Sequence, residues 1–251
     1  MLNPFESRQT PPPHFLLLVW LMLTGLVVFG TVVIVDQGLL QEMLHADRSQ
    51  ICLVVIGMYF IGLGHTFIRT RVLSDELARA SVLVERLEAP TSALAITPRG
   101  LAFADGTPVS GGFAGNYLHE RFATATSAAP EAPDGDLLDA YASRVRSANE
   151  FGWFYIDLML KVGFLGTLVG FILMLSSVAD TGNLDASTMQ KVLKQMSLGM
   201  STALYTTLAS LVGGILLSIP YYLLDRGLER LLQLTVYAKD VLVPARLPAG
   251  R

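Results

Sequence analysis

Three threonines, Thr167, Thr206 and Thr207, lie several residues inside stretches of the chain that contain no Asp, Glu, Lys or Arg. A hydroxyl in such a setting can return its hydrogen bond to the backbone of its own helix, or offer it to a proton, a water or a carboxylate from another chain. The residues around these threonines are ordered. Gly163, Thr167, Gly170, Met174 and Ser177 follow steps of four, three, four and three, which gathers them on one face of a helix, while Leu165, Leu168, Val169, Ile172 and Leu175 take the opposite face. Gly199, Ala203, Thr206, Ser210, Gly213 and Gly214 make a second such face, opposed by Leu204, Leu208, Leu211, Ile215 and Ile219. Large aliphatic side chains suit lipid. Small and hydroxylated ones suit a neighbouring helix or water, and Gly166 with Gly170 forms a small-xxx-small pair. Spacing alone leaves two uses open, helix packing and a polar path through a membrane.

Other reactive residue types are sparse. Asp157 and Lys161 stand four apart with the acid first, the favourable order for a pair within one helix. On the helical wheel both lie away from Thr167, which favours an interfacial anchor with a snorkelling lysine, gating being the alternative role. Cys52 is the one cysteine, so neither a disulfide nor a thiolate metal site is available within one chain. His14, His45, His65 and His119 show no ligand spacing, and His65 reads as a helix-end histidine satisfied by a neighbour. The apolar stretches hold no paired aspartates and no nucleophile with a base, so no enzyme activity, no cofactor and no metal site are expected.

The elements that must position these residues follow from composition. Of 251 residues, 52% are hydrophobic and only 16% charged, with a formal net charge of −3, a balance that speaks against a water-soluble enzyme. Four windows carry the surplus: Phe15 to Val35, Ile51 to Ile68, Val162 to Ala179 and Met196 to Leu224. About 20 apolar residues cross the hydrocarbon core as a helix, because lipid offers the backbone no hydrogen-bond partner. The expected fold is therefore an all-α integral membrane protein with four transmembrane helices. The first window is read as an anchor rather than a signal peptide, since it is long, lacks a positively charged start and is followed by no small-x-small cleavage site.

The predicted organisation is an N-terminal segment 1–14, helices one and two within 15–70, a soluble segment 71–150, helices three and four within 151–225, and a C-terminal tail 226–251. Charge sets the orientation. Asp36, Glu42, Asp47 and a single Arg48 make the first hairpin acidic and outer, whereas Arg69, Arg71, Arg144, Arg146, Arg226 and Arg230 flank the inner ends. Lys191 and Lys194 stand on the outer side, offset by Asp180 and Asp185. Both termini are thus expected in the cytoplasm. Leu73, Leu77, Ala80, Val84 and Leu87 at near-heptad spacing predict that the second span continues as an amphipathic helix, ended by Pro90. The Gly-, Pro-, Ala- and Thr-rich run at about 97–135 predicts loop or flexible linker. From Asp136, Leu138, Tyr141, Val145 and Ala148 repeat on one face and predict a helix running unbroken into the third span. Tyr221, Tyr222, Asp225 and Arg226 read as an aromatic and charged belt at the inner interface.

Two short motifs add a resemblance. Phe164-Leu-Gly-Thr-Leu-Val-Gly-Phe-Ile172 is similar to the Leu-Gly-Thr-x-x-Gly-x-Ile signature of the MotA/TolQ/ExbB proton channel family, and Ala203-Leu-Tyr-Thr-Thr-Leu-Ala-Ser-Leu211 resembles its Ala-Leu-x-x-Thr-x-x-Gly-Leu signature. They occur in the family's order on consecutive spans joined by a short hairpin, and the resemblance covers about residues 136–230. Four spans with the soluble part between the second and third resemble the MotA layout; ExbB and TolQ have three. The resemblance implies a homopentamer in the bacterial inner membrane around two copies of a single-span partner of the MotB/ExbD/TolR type. In that family protons pass at an aspartate on the partner, and flux moves the partner. The motif threonines line the pore, which assigns that role to Thr167 and Thr207. The wheel centres the small stripe on Thr206 instead, so both are candidates, with Thr207 first. Gly163, Gly170, Met174, Ser177, Ala203, Ser210 and Gly214 join them as pore-lining candidates. Ser210 replaces the motif glycine, and Pro220 falls about one turn later than the family's Ile-Pro, which shifts any kink.

The function expected is the channel-forming subunit of a proton-driven, energy-transducing stator complex. The alternatives are a non-conducting membrane scaffold and a sodium-driven stator, because hydroxyls and carbonyls also coordinate sodium. The partners expected are lipid, further copies of the chain and the single-span subunit, and no nucleic acid.

Overall fold

A computed structural model describes residues 15–47, 49–89, 94–97, 100–109, 111–126, 134–179 and 186–246. Segment 1–14, Arg48, Pro90, residues 127–133, Asp180, Asp185 and residues 247–251, on which the sequence carries expectations, lie outside them. The elements in order are α1 (Phe15–Asp36), α2 (Leu39–Ala46), α3 (Ile51–Glu88), β1 (Leu94–Thr97), β2 (Gly100–Phe103), α4 (Gly112–Thr126), α5 (Asp134–Ala179), α6 (Ala186–Tyr237), a π turn (Ala238–Leu242) and α7 (Val243–Arg246). Among the described residues α3, α5 and α6 are long and apolar enough to cross a membrane, and α1 holds a shorter apolar stretch, Leu18–Val33. With 38, 46 and 52 residues the three long helices far exceed the roughly 20 a bilayer needs. α3 is continuous with Arg71–Glu88 and α5 with the helix expected from Asp136. α6 runs through Pro220 without a break, although the proline withdraws one donor from the helical ladder.

The chain divides into two compact units. An apolar unit comprises Trp20–Phe67 and Glu150–Tyr222; a hairpin unit comprises Ile68–Asn149 and Leu223–Arg251, together with the residues up to Val19.

In the apolar unit, α1 rests on α3 through Trp20, whose ring centroid lies 4.9 Å from that of Phe67 and whose Nε1 donates to Thr66 Oγ1 at 3.4 Å. The acidic hairpin contains the short helix α2 and a built helix start. Asp47, only 5% exposed, accepts hydrogen bonds from the Ser49 N–H at 3.0 Å and the Cys52 N–H at 2.7 Å. A carboxylate there satisfies amide donors at the start of α3 and complements the positive end of its dipole. α3 meets α5 where Tyr155 O–H donates to the Met58 carbonyl at 2.8 Å. Val55, Ile156, Met159 and Leu217 fill the interior between helices, while Leu204, Leu208, Leu211, Ile215, Leu165, Leu168, Ile172 and Leu175 are exposed, as the aliphatic faces predict.

The hairpin unit corrects the expectation of a linker at about 97–135. Over its described residues this stretch holds the second strand of an antiparallel hairpin, in which Leu94 lies opposite Phe103 and Ile96 opposite Leu101, followed by α4. The physical reason is burial. Leu94, Leu101, Val109, Tyr117 and Leu118 share one core with Leu87 of α3 and with Ala238, Leu242 and Val243 after α6. These apolar residues are too widely spaced to form a window, yet the turns bring them together. Among the described residues the same hairpin is the departure from an all-α fold. Leu73, Ala80 and Leu87 are buried along α3, in agreement with the near-heptad pattern. The C-terminal region is helix rather than tail as far as Arg246, which closes the unit: its Nε and Nη2 donate to the carbonyls of Leu87 at 3.1 Å and Glu88 at 2.7 Å, at the C-terminal end of α3. After β2, Asp105 accepts from the Thr107 N–H at 2.9 Å and its hydroxyl at 2.5 Å, and these bonds hold the carboxyl below the usual range. The Tyr141 phenol donates to Glu120, which pushes its pKa up; burial and the neighbouring Glu88 do the same for Tyr237.

Candidate functional site

The two small-residue stripes meet each other. α5 and α6 approach so closely that a methyl group added at Gly166 would come 2.5 Å from Thr206 Oγ1, and one at Gly170 would come 2.7 Å from the Ala203 nitrogen. A methyl at Gly199 would lie 2.8 Å from the Met174 nitrogen, and one at Gly163 would overlap Ser210. Glycine at these places lets backbone touch backbone, which is the physical use of small residues between membrane helices. Thr202 and Thr206 are fully buried in this seam and Ser210 nearly so. The Thr206 hydroxyl lies 3.1 Å from the Thr202 carbonyl and 3.0 Å from that of Ala203, and Thr202 donates to Leu198 at 3.1 Å.

Thr167 and Thr207 occupy a different position. Both are half-buried, at the flank of the seam. They lie on the same flank. A methyl at Gly213 would sit 3.2 Å from Met159 Cε and one at Gly214 would sit 3.1 Å from Leu160 Cδ2, so turning from Met159 to Leu160 on α5 corresponds to turning from Gly213 to Gly214 on α6. Thr167 is two turns after Leu160, and Thr207 two turns before Gly214; both therefore share the Leu160–Gly214 edge. The Met159–Gly213 edge is covered by α3, whose Tyr59 ring would be 3.6 Å from the same methyl at Gly213. The threonine edge is bordered by exposed Phe164, Phe171, Met200 and Leu211.

The hydroxyls on the open edge are already committed as donors. Thr167 O–H donates to the Phe164 carbonyl at 2.5 Å and Thr207 O–H to the Ala203 carbonyl at 3.2 Å. What each oxygen still offers is acceptance. An acceptor in an apolar setting suits a protonated carboxyl, a water or a bare cation.

The remaining candidates separate into groups. Gly163, Gly170, Met174, Ala203, Ser210 and Gly214 belong to the seam or its edge, whereas the side chain of Ser177 lies outside the described set. Asp157 and Lys161 pair at 2.5 Å on the exposed face of α5, away from α6. Tyr221 departs from the belt expected of it: it is 1% exposed, and its phenol lies 2.7 Å from His65 Nδ1. Gly152 makes this possible, since any Cβ there would fall on the Tyr221 ring. Tyr222, by contrast, is exposed as a belt residue should be. Sequence spacing pointed to Thr206 but passed over Thr202, although the four-residue step between them places both on one face. Among the described residues no group of His, Cys, Asp and Glu could hold a metal ion.

Long apolar helices closing on a glycine seam, with hydroxyls at its open edge, define the class: a helical integral membrane protein. Residues 138–235, from the first turns of α5 to the last of α6, match the model of the MotA/TolQ/ExbB proton channel family. Both motifs fall within these residues. No curated protein and no solved structure matches the chain.

Proposed function

We propose that the chain is the channel-forming subunit of a proton-driven, stator-type complex in the bacterial inner membrane. It spans the bilayer four times with both termini in the cytoplasm, α1 being the first span, and acts as a homopentamer around a single-span partner of the ExbD/TolR/MotB kind, in two copies. The observation that carries this reading is the position of Thr167 and Thr207 on the one edge of the α5–α6 seam that α3 leaves open, within the segment that matches the channel family.

In this reading five such edges face a central path. The apolar windows hold no carboxylate, so the titrating group comes from the partner. When that carboxyl is protonated it donates to the threonine oxygens, whose own protons are held by backbone carbonyls. When it ionises it loses that partnership and turns toward water. A ring of acceptors thus distinguishes the two protonation states without trapping either as a fixed cation would. Movement of the partner follows from this alternation. Asp157 and Lys161 act as an interfacial anchor. The same oxygens would coordinate sodium, so the transported ion is tested directly.

The experiment is ion flux into vesicles containing the full chain and its single-span partner, under a pH gradient or a sodium gradient in turn. Proton flux that requires both chains, and that falls on Thr207→Ala, supports the proposal. Flux absent from the intact pair, with a five-membered assembly nevertheless present, would leave a scaffold and sink the channel reading.

A further inference from the structure

Within the hairpin unit a cleft of about 810 Å³ opens between α3, α4, α5 and α6. Its wall is apolar along Leu73, Val145, Leu224 and Leu228, and basic where Arg69, Arg79 and Arg144 reach it. The acidic groups that face it are already engaged. Glu76 accepts from the Phe113 N–H at 2.5 Å and lies 3.7 Å from Arg79, and Glu120 accepts from the Tyr141 phenol. Arg69 reaches only a carbonyl, that of Val145 at 3.4 Å, and among the described residues neither Arg69 nor Arg144 meets a carboxylate. The cleft therefore keeps two arginine charges unspent beside an apolar wall. Its place along the chain is equally specific. Arg69 directly follows the apolar window that ends at Ile68, and Leu224 closes the window of α6, so this end of the cleft sits where a bilayer presents its headgroups.

We propose that this cleft binds one anionic phospholipid per chain, with the phosphate at Arg69 and Arg144 and an acyl chain along Leu73, Leu224 and Leu228. Guanidinium groups match phosphate oxygens in a fork geometry, and the apolar wall gives a chain somewhere to lie that a free ion would not use. This rests on the membrane character of the chain and not on ion conduction, so either reading can fail alone.

The test uses the full chain purified in mild detergent. Native mass spectrometry should show one phosphatidylglycerol-type lipid retained per chain, and the delipidated protein should be stabilised against heat by phosphatidylglycerol but not by phosphatidylcholine or by inorganic phosphate. Each arginine near a membrane surface contributes about fivefold in affinity, so Arg144→Gln, an exposed position whose loss leaves the fold alone, should weaken retention about fivefold and Arg144→Lys should restore most of it. Equal protection by inorganic phosphate would overturn the lipid in favour of a free anion. Equal retention of phosphatidylcholine, or retention unchanged in both Arg69→Gln and Arg144→Gln, would overturn the site.

Discussion

Thr206 lies against Gly166 so closely that its Oγ1 occupies space a methyl group on that glycine would need, 2.5 Å away. The threonine at the centre of the small-residue stripe is therefore a packing residue, and its neighbour Thr207 is the one left facing outward.

This separates the two threonines by experiment. Thr206→Val keeps the shape of the side chain and removes a hydroxyl whose partners are carbonyls of its own helix, so it should cost no more than about 1 kcal/mol and leave flux close to that of the parent. Thr207→Ala and Thr167→Ala should instead lower flux roughly tenfold each, equivalent to about 1.4 kcal/mol on a barrier, with oligomer mass unchanged. The reverse pattern, a flux defect in Thr206→Val alone, would show that the seam and not its edge carries ions.

The glycines make a second comparison. In an open helix Gly→Ala gains up to about 1 kcal/mol in propensity, and Gly64, with nothing within 4 Å, should show that gain as a modest rise in melting temperature. Gly170→Ala must push the Ala203 backbone away and should cost about 1–3 kcal/mol. Gly214→Ala meets side-chain atoms of Leu160 and Ile156 and no backbone, and should fall between them. Thermal denaturation of the detergent-solubilised protein checks the order.

Tyr221 and His65 tie α6 to α3 through one hydrogen bond of 2.7 Å. Tyr221→Phe retains the buried ring and should lose about 0.5–1.5 kcal/mol. Gly152→Ala attacks the same place sterically and should lose more, because the ring has no room to retreat. If hydrogen exchange of α3 around His65 is as slow in Tyr221→Phe as in the parent, the tie is not a stabilising one.

The hairpin unit should respond to pH at both extremes. Asp105 has a folded pKa below its unfolded one, so the stability it adds is present above the ordinary aspartate range and is lost as pH falls through the lowered value. Thr107→Ala removes the largest cause, the hydroxyl, and keeps the backbone N–H, so the Asp105 carboxyl should titrate higher than in the parent in carbon-13 spectra while staying below the ordinary aspartate range. Tyr141 is shifted the other way, by its bond to Glu120 before burial, so its contribution is complete below the ordinary tyrosine range and is lost as pH rises through the raised value. Absorbance of phenolate should show it ionising late, and Glu120→Gln should bring it earlier.

Much of this architecture is legible in the sequence because its cause is local. Charge-free windows fix the apolar helices, and the spacing of Leu73, Ala80 and Leu87 fixes the buried side of α3 beyond them. The two motifs lie within the segment of α5 and α6 that matches the family model. The hairpin and α4 escape such reading, since Leu94, Leu101, Val109 and Tyr117 are far too dispersed to form a periodic pattern and acquire their meaning only in one shared core. Tyr221 escapes for a related reason: a tyrosine at the end of a span has the composition of a belt residue, and only the presence of His65 on another helix, with Gly152 clearing its path, turns it inward.

The sequence by itself determined that hydroxyls and glycines share one stripe on each of two helices, because periodicity is a property of a single helix. It could not determine which hydroxyl the stripe buries. That depends on how the helices are rotated against each other, and here close packing at Gly166 and Gly170 sets the rotation, burying Thr206 and leaving Thr167 and Thr207 together on the open edge.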